Sequence, residues 1–225
     1  MKPEEYIRKE HQTNKVELTG KREMATGVWL ISWKRDRPFI PGQVVKLAIA
    51  SNHPPRIYSL CSGPDDDNFS VLFDVKDDGL LTPRLAALSV GDSFLASAPY
   101  GSFACDGGPS IFIATGTGIA PFRSMLLGGE AQNAMVVHGA KTPEQCYFDH
   151  EFEAMPEGHY FRCISRGKDT GHFEGRVTDW LKIQNNLPLD FKYYLCGRAL
   201  MVVEVRDILI GKGIPYQNIK AEIYF

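Results

Sequence analysis

The chain contains 225 residues, and 44% of them are hydrophobic, which is enough to form the core of one large or two small domains. Its 25 basic and 27 acidic residues leave a net charge of −2, which argues against a nucleic-acid-binding protein that works through bulk positive charge. The sequence has neither an apolar run of the ~18 residues that a membrane-spanning helix needs nor a pattern that predicts a secretory signal.

The first half of the chain is predicted to be a small antiparallel β-barrel. Short runs of β-branched and aromatic residues are interrupted by Pro, Gly, Asn or Asp, which is typical of strands joined by tight turns. These runs cover residues 27–33, 43–50, 56–61, 69–75 and 93–98. A helix is predicted over residues 82–88, because Thr82 can act as its N-cap and Pro83 suits its first turn.

The second half alternates between strand and helix patterns, as βαβ units of a parallel sheet do. Strands are predicted at residues 110–114, 134–138, 160–165, 192–196 and 219–225, and helices at residues 120–127 and 200–210. The sequence therefore predicts two domains, an antiparallel β-barrel over residues 1–106 and an α/β domain with a parallel sheet over residues 107–225.

A glycine-rich turn at residues 115–121, with the sequence TGTGIAP, joins a buried strand to a helix. Without side chains, Gly116 and Gly118 would let a phosphate approach the main chain, and the N–H groups of the helix start would face it. Pro121 stands where the dinucleotide-binding pattern GxGxxG has its third glycine. Alone, this turn is equally well explained as an ordinary βα connection.

Two segments of the first half also have phosphate-binding chemistry. Residues 56–59, RIYS, offer the forked cation of Arg56, the flat ring of Tyr58 and the hydroxyl of Ser59. Residues 79–82, GLLT, place a glycine turn directly before a helix start, although plain helix capping explains this segment alone. The occurrence of all three segments in one chain favours a site for diphosphate-containing nucleotides.

The order of these motifs resembles that of the ferredoxin–NADP⁺ reductase family of flavoproteins. RxYS at 56–59 is followed by GxxT at 79–82, GSF at 101–103, GTGIAP at 116–121, CG at 196–197 and a terminal Glu-x-aromatic. The resemblance covers residues 42–225, and TPRLAAL at 82–88 with the ending EIYF is most similar to the bacterial type. It implies a first domain that binds FAD and a second that binds NADP(H), with the C-terminal residues returning to the flavin.

For the FAD site, the resemblance implies that Arg56 meets the diphosphate, Tyr58 packs on the flavin ring and Ser59 lies near flavin N5. Tyr224 would cover the flavin face where nicotinamide docks, and Phe225 would pack near the adenine. The residues implied to contact FAD are Arg56, Ile57, Tyr58, Ser59, Asp74, Val75, Gly79, Leu80, Leu81, Thr82, Tyr224 and Phe225.

For the NADP(H) site, the resemblance implies contacts from the glycine turn and from three cations. The implied residues are Gly116, Thr117, Gly118, Lys141, Ser165, Arg166, Arg176, Gly197 and Met201. Three cations at family positions favour the 2′-phosphate of NADP(H) over NAD(H), although each alone is typical of a solvated surface. Lys141 stands where bacterial relatives generally have arginine, and lysine lacks the bidentate fork.

The resemblance further implies that Ser59, Cys196, Glu222 and Tyr224 line the hydride path, chiefly by positioning the reacting rings. From its residue type alone, Cys196 is equally well explained as a small core side chain. The five cysteines are scattered and include no CxxC pair, which favours a reducing cytoplasm over a disulfide framework, a zinc site or an iron–sulfur site. His138 lies near the nucleotide turn and is expected to pack there.

Together these features predict an oxidoreductase that exchanges hydride between NADP(H) and FAD, and single electrons with ferredoxin or flavodoxin. Two alternatives stay open: an NAD(P)H:flavin reductase that uses free flavin, and a non-catalytic electron-relay or regulatory subunit. We expect a monomer with no bound metal, no nucleic-acid partner and no membrane insertion. Because such carriers are acidic, basic residues are candidates for the docking face: Lys2, Arg8, Lys9, Lys15, Lys21, Arg22, Lys34, Arg35 and Arg37.

Overall fold

The computed structural model of the protein describes residues 12–167 and 171–224. The chain divides into two units, Met1–Ala104 and Cys105–Phe225, and each has its own sheet. Phe225 and the docking candidates Lys2, Arg8 and Lys9 lie outside the described residues. Within the described ranges, no helix is long and apolar enough to cross a membrane.

The first unit is an antiparallel barrel. Its six strands among the described residues are β1 (Thr13–Ala25), β2 (Val28–Lys34), β3 (Val44–Ala48), β4 (Arg56–Ser59), β5 (Asn68–Asp74) and β6 (Ser93–Ser97), in the order β4-β3-β6-β1-β2-β5. A bridge between Leu60 and Val71 and a hydrogen bond from the Cys61 N–H to the Ser70 carbonyl join β4 to β5. The two outer strands of this order therefore meet, and the predicted barrel is confirmed.

Aromatic packing fills the barrel and explains why most of its strands were predictable. Trp33 meets Phe94 edge-on, with ring centroids 5.5 Å apart, and lies 5.7 Å from the ring of Phe69. The strand β1 was not predicted, because its sequence TNKVELTGKREMA is mostly polar and Leu18 is its one fully buried side chain. Backbone pairing to β2 and β6, rather than an apolar pattern, holds this strand in place.

The helix of the first unit, α1 (Thr82–Ala87), begins differently from the prediction. The prediction of Thr82 as N-cap is wrong, because Leu81 occupies that position and Thr82 is already helical. The Thr82 hydroxyl instead accepts a hydrogen bond of 2.9 Å from the Lys76 N–H, so it closes the preceding turn. At the other end of α1, the Lys21 ammonium donates to the carbonyls of Ala86 and Leu88 and lies 4.3 Å from the Trp29 ring centroid.

We expect Lys21→Met to lower the free energy of unfolding by about 1 kcal/mol, because it removes a cation from a helix C-terminus and keeps the apolar stem. Urea unfolding measures the change. Lys34→Met is the control, since the Lys34 ammonium is exposed and lies 3.7 Å from an Asp67 oxygen. An exposed pair of this kind contributes little, so equal losses in the two variants would contradict the capping role of Lys21.

The second unit is a parallel sheet. Its six described strands are β7 (Ser110–Thr115), β8 (Ala134–Ala140), β9 (Tyr160–Ile164), β10 (Phe173–Glu174), β11 (Lys192–Arg198) and β12 (Ile219–Tyr224), in the order β10-β9-β8-β7-β11-β12. Its described helices are α2 (Ala120–Leu127), α3 (Asp149–Glu153), α4 (Val177–Ile183) and α5 (Ala199–Gly211). The predicted parallel α/β domain is confirmed, and α3, α4 and β10 are elements that the sequence pattern did not predict.

Helices cover both faces of this sheet. On one face, Trp180 of α4 and Val205 of α5 belong to the same buried cluster as Ile113 of β7. On the other face, Phe122 of α2 stacks on Phe112 of β7, with ring centroids 4.7 Å apart. Burial on both faces explains the continuous apolar sequence of β7.

Candidate nucleotide-binding sites

The strand order of the parallel sheet reverses between β7 and β11, and open α/β sheets bind ligands at the carboxyl ends of strands at such a point. At this edge, β7 continues into a 3₁₀ turn, Gly116–Ile119, and then into α2. The N-cap of α2, Ile119, makes no side-chain capping hydrogen bond within the described chain. The Ala120 N–H donates to the Thr117 carbonyl and Pro121 has no N–H, so the N–H groups that could meet an anion at this edge are those of the turn itself.

Glycines allow this turn to pack directly against the end of β11. A Cβ on Gly118 would lie 2.4 Å from the Cys196 carbonyl oxygen. Gly197 has a φ of +146°, and its Cβ would lie 2.5 Å from Thr115 Oγ1 and 2.8 Å from Met201 Cε. Gly116, in contrast, has no atom within 4 Å of its Cβ position. The inner side of the turn is thus tightly packed, whereas open space lies beside its first glycine.

The donors at this edge fit a phosphate-bearing nucleotide. Thr115 Oγ1 is buried and has no hydrogen-bond partner among the described residues. The sequence pattern did not single out Thr115 or Gly139. A Cβ on Gly139 would lie 2.6 Å from Val177 Cγ1 and 2.9 Å from Thr115 Cγ2. A glycine directly after the apolar run VVH was the signal available for this close strand-to-helix approach.

The predicted 2′-phosphate residues come together at the carboxyl ends of β8, β9 and β10. The Arg166 N–H donates to the Lys141 carbonyl over 2.7 Å. The Gly175 N–H donates to the Ile164 carbonyl over 2.8 Å, which brings Arg176 to the same edge. None of the three cations has an ion-pair partner within the described ranges. All of the predicted side chains here are exposed: Lys141, Ser165, Arg166 and Arg176.

Three of the predicted hydride-path residues lie on β11 and β12, on the side of β7 away from β8: Cys196, Glu222 and Tyr224. In the parallel pairing of β11 and β12, Cys196 is opposite Glu222 and Arg198 is opposite Tyr224. Burial, together with the charge of Glu222, raises the pKa of the Cys196 thiol well above its usual value, while a hydrogen bond from Tyr224 acts in the opposite direction. The thiol therefore stays protonated at neutral pH, which suits positioning and not nucleophilic chemistry.

In the first unit, RxYS forms β4, which pairs with β3. Arg56 is exposed and has no ion-pair partner among the described residues, and Ile57 is 58% exposed. The Tyr58 ring meets the Phe73 ring at 69°, and burial raises the pKa of Tyr58 to about 12, so its hydroxyl stays neutral. Ser59 is buried. One strand thus presents a cation, an apolar side chain and an aromatic ring in sequence.

The second predicted FAD segment is a tight turn before α1. Gly79 donates its N–H to the Lys76 carbonyl over 2.8 Å, and a Cβ on Gly79 would lie 2.9 Å from that oxygen. Leu80 is 56% exposed, whereas Leu81 is buried and makes no side-chain cap within the described residues. Of the neighbouring predicted contacts, the Asp74 carboxylate is paired with Lys76, and the Val75 N–H donates to the Gly27 carbonyl.

The residues of the first unit fit FAD. A guanidinium without an ion pair among the described residues and an uncapped helix start suit a diphosphate, and exposed aliphatic side chains beside the half-buried ring of Tyr58 suit a flat ring system. An antiparallel barrel with such a surface, followed by a parallel sheet with a glycine turn at its switch point, defines the class of two-domain nucleotide-dependent reductases.

Comparison with known proteins agrees with this class. The family described as oxidoreductase NAD-binding domain matches residues 112–207. Ferredoxin–NADP reductase B of Sorangium cellulosum is 30% identical over 208 residues, which cover 83% of this chain and 85% of that protein. The toluate 1,2-dioxygenase electron transfer component of Pseudomonas putida is 29% identical over 191 residues, 80% of this chain but 57% of that protein.

A solved structure of similar fold is the ferredoxin–NADP⁺ reductase of Neisseria gonorrhoeae with bound FAD and NADP. It has a TM-score of 0.84 and 22% identity, and the match covers 95% of this chain and 99% of that one. The chain described here belongs to the ferredoxin–NADP reductase family. The predictions of family, fold and an FAD- and NADP-dependent oxidoreductase are thereby confirmed.

Proposed function

We propose that this protein is a ferredoxin- or flavodoxin–NADP⁺ reductase. The observation that carries the proposal is the gathering of Lys141, Arg166 and Arg176 at the same sheet edge as the glycine turn of residues 116–118. When bound, FAD supplies the conversion between a two-electron hydride and single electrons. The chain itself binds and orients the nucleotides.

In the second unit, the glycine turn and the three cations bind different phosphate groups of NADP(H). The main chain of residues 116–118 binds the diphosphate. Arg166 and Arg176 bind the 2′-phosphate through charge-assisted hydrogen bonds, and Lys141 adds a point charge. Gly197 and Met201 line the NADP(H) site beside the turn, and Cys196 and Glu222 lie next to the nicotinamide.

In the first unit, Arg56 and the turn at residues 79–82 hold the FAD diphosphate, and Ile57 and Leu80 give apolar contacts. Tyr58 presents its ring to the flavin, with a hydroxyl that stays neutral because burial raises its pKa to about 12. Ser59 contributes its hydroxyl at flavin N5, and Asp74 with Val75 borders the same site.

Deleting residues 224–225 is expected to strengthen NADP⁺ binding several-fold and to shift the flavin absorbance bands, because Tyr224 would otherwise occupy the place of the nicotinamide. Equilibrium titration and the visible spectrum measure the two effects. Tyr216→Ser is the control, since Tyr216 belongs to the same unit and is 71% exposed. Unchanged NADP⁺ affinity and an unchanged visible spectrum in the deletion variant would show that Tyr224 does not contact the flavin.

The structure reduces the number of basic residues that are candidates for docking an acidic carrier. Lys34 pairs with Asp67 and Arg37 with Asp36, and the Lys21 ammonium is used at the end of α1. Exposed Lys15 and Arg22 of β1 and half-buried Arg35 have no ion pair within the described chain. We therefore propose that these three residues contribute to docking, through charge attraction that weakens as ionic strength rises.

The proposal is tested with FAD-loaded protein, NADPH and three acceptors under anaerobic conditions: ferredoxin, flavodoxin and free FMN. We expect transfer to a carrier protein at low micromolar concentration, slowed by salt, and slow transfer to free FMN. Fast reduction of FMN with neither carrier reduced would favour the flavin reductase. Bound FAD with no acceptor reduced would favour a relay or regulatory subunit.

A further inference from the structure

Arg198 is an exposed cation at the carboxyl end of β11. It is the last residue of that strand, and α5 begins at the next residue, Ala199. Its guanidinium has no ion pair and no hydrogen bond among the described residues. It follows Gly197 directly, at the point where the strand order reverses between β7 and β11. A planar cation with several N–H donors and no protein partner suits a phosphate ligand.

The side chain of Arg198 lies on the same face of the sheet as the predicted hydride path. Side chains alternate between the two faces along a strand, so Arg198 shares a face with Cys196. Parallel pairing sets Glu222 opposite Cys196 and Tyr224 opposite Arg198. Residues paired in this way point to the same face. Arg198 therefore borders the place predicted for the nicotinamide.

The glycine turn reaches this face as well. Tyr194 of β11, which shares the face of Arg198, meets the Phe112 ring edge-on with centroids 5.4 Å apart, and α2 covers Phe112. The turn leads into α2 and is therefore on the same side of the sheet. Its contact with β11 is close, since a Cβ on Gly118 would lie 2.7 Å from the Gly197 Cα. The long side chain of Arg198 can thus reach a phosphate that is bound to the turn.

Two other cations lie on this face of the described parts of β11 and β12, and both have protein partners. Lys192 forms an ion pair with Asp106. The Lys220 ammonium lies 5.1 Å from the Tyr194 ring centroid and 3.4 Å from the Tyr194 hydroxyl oxygen. Arg198 differs from both, because it is nearest the carboxyl edge and its charge is not engaged by the described protein.

A diphosphate at the glycine turn needs such a charge. The turn offers main-chain N–H groups, which are neutral, and Pro121 has none. Arg123 of α2 donates two hydrogen bonds, of 2.7 and 2.8 Å, to the Glu151 carboxylate. The three cations proposed for the 2′-phosphate lie on the other side of β7, beside β8, β9 and β10. Arg198 is therefore the cation best placed for the diphosphate.

We propose that Arg198 binds the diphosphate of NADP(H), through charge-assisted hydrogen bonds from its guanidinium to the phosphate of the nicotinamide half. That phosphate is the nearer one, because Arg198 is on the side of β7 where the predicted nicotinamide residues lie. The inference rests on the proposed function, since NADP(H) is the ligand proposed for the turn. The diphosphate is common to NADPH and NADH, so Arg198 contributes to affinity and not to the choice between them.

The test titrates FAD-loaded parent protein and Arg198→Met with three nucleotides. Loss of a charge-assisted hydrogen bond corresponds to a change in affinity of about tenfold. We expect Arg198→Met to weaken NADP⁺ by about that factor, and 2′-phospho-ADP-ribose, which has the diphosphate but no nicotinamide, equally. Adenosine 2′,5′-bisphosphate lacks the phosphate of the nicotinamide half, so its affinity should stay within about twofold of the parent value.

Steady-state kinetics and two further variants complete the test. Arg198→Met should raise KM for NADPH and for NADH by the same factor, with the ratio of their kcat/KM values unchanged. Arg198→Lys keeps the charge but loses the bidentate fork, so it should recover part of the affinity. Arg206→Met is the matched control, because it removes a positive charge from the neighbouring helix α5 whose guanidinium is hydrogen-bonded to Asp207. Its NADP⁺ affinity should equal that of the parent protein.

Unchanged NADP⁺ affinity in Arg198→Met would overturn the inference, and a higher KM for ferredoxin or flavodoxin in that variant would then assign Arg198 to carrier docking. An equal loss in Arg206→Met, or an equal loss of adenosine 2′,5′-bisphosphate binding in Arg198→Met, would also overturn it. A parent protein that binds none of the three nucleotides would instead count against the proposed function, so the two failures are distinguishable.

Discussion

Replacing Arg166 and Arg176 together with alanine is expected to reduce the preference for NADPH over NADH on the order of 100-fold, because each substitution removes a charge-assisted hydrogen bond to the 2′-phosphate. NADH carries no phosphate at that position, so its kcat/KM should change little. The ratio of kcat/KM for the two nucleotides measures the effect. The expectation depends on the exposed cations at one sheet edge, which have no ion pair within the part of the chain that the structure describes.

Arg206→Ala is the control for this variant. It also removes one positive charge from the second unit, but the Arg206 guanidinium is hydrogen-bonded to Asp207 on α5. Its NADPH preference should remain that of the parent protein. A double variant that still prefers NADPH over NADH would show that the 2′-phosphate is bound elsewhere.

Gly118→Ala is expected to lower the free energy of unfolding by about 1–3 kcal/mol and to weaken NADP⁺ binding, because overpacking of a tight contact forces the backbone to move. The added Cβ would lie 2.4 Å from the Cys196 carbonyl oxygen and 2.6 Å from its carbon, and main-chain atoms cannot rotate away as a side chain can. Urea unfolding and NADP⁺ titration measure the two losses.

Gly211→Ala is the matched control for Gly118→Ala. A Cβ on Gly211, at the end of α5, would meet no atom within 4 Å, so stability should be unchanged or slightly increased. FAD binding should survive in both variants, since the predicted FAD diphosphate residues belong to the first unit. A stable Gly118→Ala protein with normal NADP⁺ affinity would contradict the close approach of the turn to β11.

The central strands β7, β8 and β11 could be predicted because they are buried on both faces and are therefore almost continuously apolar. The predicted helix at 120–127 has the observed bounds of α2. In the barrel, β1 was missed because pairing with two neighbours stabilises a mostly polar sequence, in which only Val16 and Leu18 alternate with polar residues. The helix α4 was missed because its sequence VTDWLKI is short, and burial of Trp180 and Leu181 against the sheet, a tertiary effect, stabilises it.

The individual site residues could be predicted, but not how they meet. The sequence separates Lys141 from Arg166 and Arg176, and the parallel register of β8, β9 and β10 brings them to one edge.

The central claim is that the chain retains FAD and that NADPH reduces it. The most direct measurement is the absorbance spectrum of the protein, loaded with FAD and desalted, before and after anaerobic addition of NADPH. We expect a yellow protein whose flavin bands are bleached quickly by NADPH and much more slowly by NADH. A colourless protein after loading, or a bound flavin that NADPH leaves oxidised, would contradict the claim.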